Sequence, residues 1–157
     1  MSLGKAVYCI DSSSLIACRR VYPIDVFPGL WQNLSDLIAD GRLISPEEVW
    51  HEIDQGTDEL TDWARTHQGL FVPPDQTQIA FVAQIAQDYS LATQPTIAEL
   101  RADPWVVALA QARYCTVVSE EGGISQPIPK IPQMCARYSL PHTKIVQLMK
   151  AEGWTFS

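Results

Sequence analysis

This chain has no apolar run near the roughly 18 residues that a membrane-spanning helix needs, and no basic-then-apolar leader at its start. Neither membrane insertion nor export is therefore expected. Positive charge is scarce as well: 11 Lys and Arg face 18 Asp and Glu, for a net charge of −7. A protein that coats nucleic acid is normally basic, so that class is disfavoured. A metal-dependent nuclease is not excluded, because such a site concentrates carboxylates that divalent cations bridge to phosphate. The four cysteines, Cys9, Cys18, Cys115 and Cys135, form no CxxC pair and stand in apolar surroundings. They read as buried thiols in a reducing cytoplasm. The chain contains no Walker-type phosphate loop, no GxGxxG and no GxSxG elbow, which removes the usual signatures of nucleotide binding and serine hydrolysis. A phosphatase with an aspartyl nucleophile would carry Asp-x-Asp after its first strand, and here Ser13 stands in the second position. His51, His67 and His142 share no ligand spacing, so packing or surface roles are expected of them.

What is present is core material. A chain of about 150 residues can bury roughly 70% of its unfolded surface, and 46% of these 157 residues are hydrophobic. With no internal repeat or long linker, residues 1–157 are expected to form a single domain. Lys5–Ile10 reads as a buried strand and Leu15–Tyr22 as a helix after the serines. Leu30, Trp31, Leu34, Leu37 and Ile38 recur at helical spacing, with Gly41 as the stop. A helix over Asp58–Gly69 precedes a short strand, Leu70–Val72. Phe81, Val82, Ile85, Ala86 and Tyr89 form an amphipathic stripe over Thr77–Leu91. Pro104–Tyr114 is apolar nearly all round, which predicts a central buried helix. Cys115–Val118 reads as a second buried strand. The tail predicts helices near Gln133–Tyr138 and Val146–Glu152, flanking an extended Thr143–Ile145. Helices alternating with short apolar strands predict an α/β domain with a mostly parallel sheet.

In such a sheet ligands bind beyond the carboxyl ends of the strands. Asp11 ends the first strand, within VYCIDSSSLIA. Its structural alternative is to cap the following helix, a task the serines can perform without it. Ser45-Pro46-Glu47-Glu48 has the pattern of a capping box, with Ser45 at the cap, Pro46 first in the helix and Glu48 three residues after the cap. Glu52 lies one turn beyond the cap's reach; its alternative is an ordinary solvated glutamate. Asp103-Pro104 also reads as a cap followed by a first-turn proline. The helix it begins is so apolar that its start should lie deep, where a carboxylate is costly unless paired or metal-bound. Ser119-Glu120-Glu121 directly follows the second buried strand.

The segments YCIDSSSLI, LISPEEVWHEI, ADPWVVALA and TVVSEEGG, across residues 5–123, resemble in type and order the four acidic motifs of PIN-domain ribonucleases. That family includes the VapC-like toxins of bacterial toxin–antitoxin pairs. Its fourth motif usually reads Thr-x-Asp, so Ser119-Glu120-Glu121 marks an atypical branch. The resemblance implies an α/β three-layer sandwich, a mostly parallel central sheet flanked by helices. It implies Asp11, Glu52, Asp103 and Glu121 as catalytic and metal-holding acids, with Glu120 as the alternative fourth. Ser13 and Ser119 would position substrate or water. The implied cofactor is Mg²⁺ or Mn²⁺; the implied partners are RNA, an antitoxin from an adjacent gene and a second copy of the chain. Such acids suit the task, since Mg²⁺ prefers oxygen ligands and acidifies bound water. Without metal, their mutual repulsion raises carboxyl pKa values. The competing reading is a PIN-like module that binds protein or RNA with little catalysis, as the altered fourth motif permits. Trp31, Trp63 and Trp154 are candidates for a docking face or for the core. Arg19, Arg20, Lys130, Arg137 and Lys144 are candidates for phosphate contacts or plain surface charges.

Overall fold

The computed structural model describes residues 5–89, 102–122 and 129–156. Its sheet grows from short apolar runs: β1 (Tyr8–Ile10), β2 (Leu43–Pro46), β3 (Phe71–Val72), β4 (Thr116–Val118) and β5 (His142–Thr143). The strand order is β3-β2-β1-β4-β5, and every pairing is parallel. β1 and β2 are buried along their whole length, as parallel strands covered on both faces must be. Among the described residues the helices are α1 (Ser12–Val21), α2 (Pro28–Ala39), α3 (Glu47–Ile53), α4 (Glu59–Arg65), α5 (Gln76–Asp88), α6 (Asp103–Arg113), α7 (Ile131–Arg137) and α8 (Ile145–Ala151). They flank the sheet in the expected three-layer α/β sandwich.

Local chemistry explains most helix limits. Pro28 opens α2, which buries Leu30, Trp31, Leu34 and Leu37 along one stripe. Gly41, at φ 75°, then takes the left-handed turn that glycine adopts without steric cost. Asp58 and Asp75 cap α4 and α5 by accepting the backbone N–H groups of Thr61 at 3.1 Å and Gln78 at 2.8 Å. α6 buries Val106, Val107, Ala108, Leu109 and Ala110 in succession and packs on β1, β2, β4 and α5. An all-round apolar helix has its place at such a position. At the amino ends of β1 and β2, Arg42 grips Glu152 through two 2.8 Å hydrogen bonds, and the Tyr8 hydroxyl donates to Glu152 at 2.6 Å.

Several sequence expectations need correction. Ser45 does not cap α3: it lies in β2, paired with Phe71, and its hydroxyl donates to the Ile10 carbonyl at 2.6 Å. Strand pairing captures the residue, and extended Pro46 (φ −74°, ψ 154°) takes the cap position with no side-chain cap bond. Asp103 is likewise the first residue of α6 rather than its cap, which is Ala102. The serines lie inside α1, which begins at Ser12. β5 ends at Thr143 and α8 begins at Ile145, slightly earlier than expected. The expected end of the fifth helix, at Leu91, lies outside the described residues. Trp31 belongs to the core: it is 2% exposed, donates Nε1–H to the Tyr22 carbonyl at 2.8 Å and meets Trp63 edge-on at 5.0 Å. Trp63 and Trp154 are partly buried against the same core. His67 has a packing role, stacked on Trp63 at 4.3 Å. All four cysteines are buried free thiols. Among the described residues, no helix is long and apolar enough to cross a membrane.

One topological feature positions the site. From β1 the chain runs outward through β2 and β3, then returns to place β4 on the opposite side of β1. The carboxyl ends of β1 and β4 therefore flank the point where the strand order reverses, where open parallel sheets form a ligand crevice.

Candidate metal centre

Asp11 follows β1 directly, and Ser119, Glu120 and Glu121 follow β4. The register Ile10↔Val118 brings the two exits together, and the Asp11 N–H donates to the Val118 carbonyl at 2.9 Å. Asp11 stands at the cap position of α1, yet its side chain makes no cap bond there. Its carboxylate, 1% exposed, turns to hydroxyls instead. Ser13 Oγ donates to Asp11 Oδ2 at 2.8 Å, and Ser119 Oγ lies 3.3 Å from that oxygen and 3.2 Å from Ser13 Oγ. The same two hydroxyls accept the backbone N–H groups of Glu120 at 3.0 Å and Glu121 at 3.1 Å. Two serines thus fix both the orientation of Asp11 and the course of the loop after β4.

α6 delivers Asp103 to this crevice from its first turn. Asp11, Asp103 and Glu121 each offer a carboxylate oxygen, and these atoms lie within 4.8 Å of one another. The two candidate fourth acids differ in what they hold. Glu120 Oε1 accepts the Ile145 N–H at 2.7 Å, at the start of α8. Glu121 Oε2 accepts the Ile131 N–H at 2.9 Å, at the start of α7, while Glu121 also reaches the other two acids. Glu52 stands beside the cluster without belonging to that trio. Ser12 Oγ lies 3.2 Å from Glu52 Oε1 and 3.5 Å from Asp11 Oδ1, so it bridges the two acids.

The electrostatics are those of acids crowded together. Burial, the largest cause, raises the Asp11 carboxyl above the ordinary range; the Glu121 charge adds to this and the Ser13 hydrogen bond opposes it. Asp103 is pushed up to about 9, first by burial, then by the charges of Asp11 and Glu121, a hydrogen bond to Glu121, and the Glu52 charge. Repulsion contributes as expected from the sequence, but desolvation is the larger cause. Among the described residues no Lys, Arg or His forms an ion pair with Asp11, Asp103 or Glu121.

A cleft of about 380 Å³ lies alongside, lined by Glu48, His51, Glu52, Gln55 and Ala102. Glu48, His51 and Glu52 share one face of α3, Gln55 follows just past its end, and Ala102 immediately precedes Asp103. Two features escaped sequence reasoning. Ser12 as the bridge to Glu52 had no signal, because any of the three serines in the run could have served. Glu48 was hidden by its apparent fit to a capping box.

No curated protein sequence matches the chain. One family model, described as a domain of unknown function (DUF4411), matches residues 8–156 and so spans every element from β1 to α8. The chain belongs to the DUF4411 family.

Proposed function

We propose that this chain is a metal-dependent endoribonuclease of the PIN-like type, hydrolysing RNA phosphodiester bonds. The observation that carries the reading is the convergence of Asp11, Asp103 and Glu121 at the strand-order reversal, with ligand oxygens within 4.8 Å. Their donor set is oxygen alone, which suits a hard cation. A buried carboxylate costs free energy unless its charge is balanced, and Asp11 is 1% exposed among like charges. Mg²⁺ or Mn²⁺ therefore fits these residues. When bound, such an ion neutralises phosphate charge and acidifies a water nucleophile.

The chain's own residues do the rest. Asp11, Asp103 and Glu121 hold the ion. Ser13 and Ser119 lock the Asp11 carboxylate in place, so that little reorganisation is needed on loading. Glu52, held through Ser12, adds negative charge at the rim and serves as a further acid. The cleft beside Glu52 takes the RNA strand. Cleavage should leave 5′-phosphate and 3′-hydroxyl ends, as the resemblance to PIN ribonucleases implies. The same resemblance supports a toxin role, restraint by an antitoxin from an adjacent gene, pairing with a second copy, and work in the cytoplasm.

One observation favours a second reading, a PIN-like binding module with weak catalysis: Glu121 gives one oxygen to the Ile131 N–H, which narrows the metal's ligand set. Turnover separates the two. End-labelled RNA incubated with Mn²⁺ should be cut internally, chelator should stop the reaction reversibly, and Asp11→Asn purified in parallel should be inert. Equal cleavage by both proteins would refute the nuclease reading and expose a contaminant.

A further inference from the structure

Glu48 carries a carboxylate oxygen that the metal centre does not use and that no described residue satisfies. The capping box that would employ it does not form, because the Ser45 hydroxyl is committed to the Ile10 carbonyl. Glu48 Oε1 is buried and has no hydrogen-bond partner among the described residues. Buried polar atoms are bonded in the great majority of cases, and an orphaned one costs stability. A partner supplied from outside the chain removes that cost. Glu48 also lines the cleft beside the acids, together with Glu52 and Ala102. The last torsion of a glutamate is soft, so rotation about it can turn the buried oxygen toward whatever occupies the cleft.

The occupant must be a slim donor, since the carboxyl is recessed. At about 380 Å³ the cleft has room for one nucleotide rather than a folded partner. Burial is the largest cause that raises the Glu48 carboxyl above its ordinary range, and as a carboxylate it accepts hydrogen bonds. A hydroxyl, which donates a short O–H hydrogen bond to a carboxylate, is a slim complement to it.

We propose that Glu48 binds the 2′-hydroxyl of the nucleotide lying in this cleft and thereby makes the protein prefer RNA to DNA. The presence of a nucleotide there rests on the nuclease reading; the hydroxyl contact is the new element. A site built around a hydroxyl leaves its own polar group unpaired when the analogue lacks it, which is how such sites discriminate.

Fluorescence anisotropy tests this with a labelled ten-residue RNA and the DNA of the same sequence, in calcium so that cutting is suppressed. The unchanged protein should bind the RNA about tenfold more tightly, the value of one hydrogen bond. Glu48→Leu should lower RNA affinity to the DNA level and leave DNA affinity unchanged, while Glu48→Gln should keep most of the preference. An unchanged RNA-to-DNA ratio in Glu48→Leu, equal loss on both nucleic acids, or no RNA preference in the parent would overturn the proposal. Glu48-dependent RNA preference without Mn²⁺-dependent cutting would refute the nuclease reading alone, and cutting with an unchanged ratio would refute the Glu48 contact alone.

Discussion

Replacing Asp103 tests the electrostatics of the cluster through pH. Its carboxyl is pushed up to about 9, with burial as the largest cause and the neighbouring acids next. A divalent ion takes the carboxylate form, so binding must displace that proton. Below about pH 9 the ionised fraction falls about tenfold per pH unit, equivalent to about 1.4 kcal/mol of apparent binding free energy per unit. Apparent Mn²⁺ affinity should therefore rise about tenfold per unit between pH 6 and 8, then flatten above about 9. The metal-free fold behaves in the opposite sense. Because the folded pKa lies above the unfolded value of 3.8, the Asp103 contribution to stability is full below that value and is lost as pH rises toward about 9. Mn²⁺ should accordingly raise Tm more at pH 8 than at pH 6. Calorimetric titration in two buffers of different ionisation heat counts the protons released, which should approach one per site near pH 7. Asp103→Asn has no such proton: it should bind Mn²⁺ weakly and with a flatter pH dependence. Wild-type affinity independent of pH between 6 and 8, or an equal slope in Asp103→Asn, would refute this reasoning.

Glu52→Gln removes a charge at the rim rather than a member of the trio, so it should weaken Mn²⁺ binding less than Asp11→Asn does, with Tm nearly unchanged; calorimetry showing the reverse order would remove Glu52 from a peripheral role. Ser13→Ala deletes the 2.8 Å bond to Asp11 and the acceptor for the Glu120 N–H; urea denaturation should show a loss of about 1–3 kcal/mol, and no loss would mean that the hydroxyl pair does not organise the loop. Glu152 is held below the ordinary carboxylate range, chiefly by its hydrogen bonds to Arg42. Its contribution is therefore present above an unfolded value near 4.5 and lost as pH falls through the lower folded value, so Glu152→Gln should be less stable than the parent at pH 7 and converge with it in acid; a stability gap that does not narrow in acid would contradict the assignment.

The parts of the fold legible in the sequence were those set by local pattern. Apolar runs such as Tyr8–Ile10 and Thr116–Val118 can satisfy no other demand than burial on both faces of a parallel sheet, and the stripe in α2 fixes its inner face. Parts set by distant partners were not legible. Ser45 carries a sound capping pattern, but its fate depends on the Ile10 carbonyl, 35 residues away. The motif favours Glu121 over Glu120 only by spacing; what separates their roles is where α7 and α8 begin, because each helix claims one glutamate through a backbone N–H. Asp103 looked like a cap because Asp-Pro commonly is one, and one residue of displacement moved it into the first turn of α6. The order Asp11, Glu52, Asp103, Glu121 could be read along the chain. That Asp11, Asp103 and Glu121 close on one another while Glu52 stands at the edge is a property of the packed sheet.

The most direct measurement is anomalous X-ray scattering from crystals of the full chain grown with Mn²⁺. The account predicts a manganese peak within bonding distance of oxygens from Asp11, Asp103 and Glu121, and its disappearance in Asp11→Asn crystals grown under the same conditions. Absence of a peak among these three carboxylates at saturating Mn²⁺, or a peak there that persists in Asp11→Asn, would contradict it.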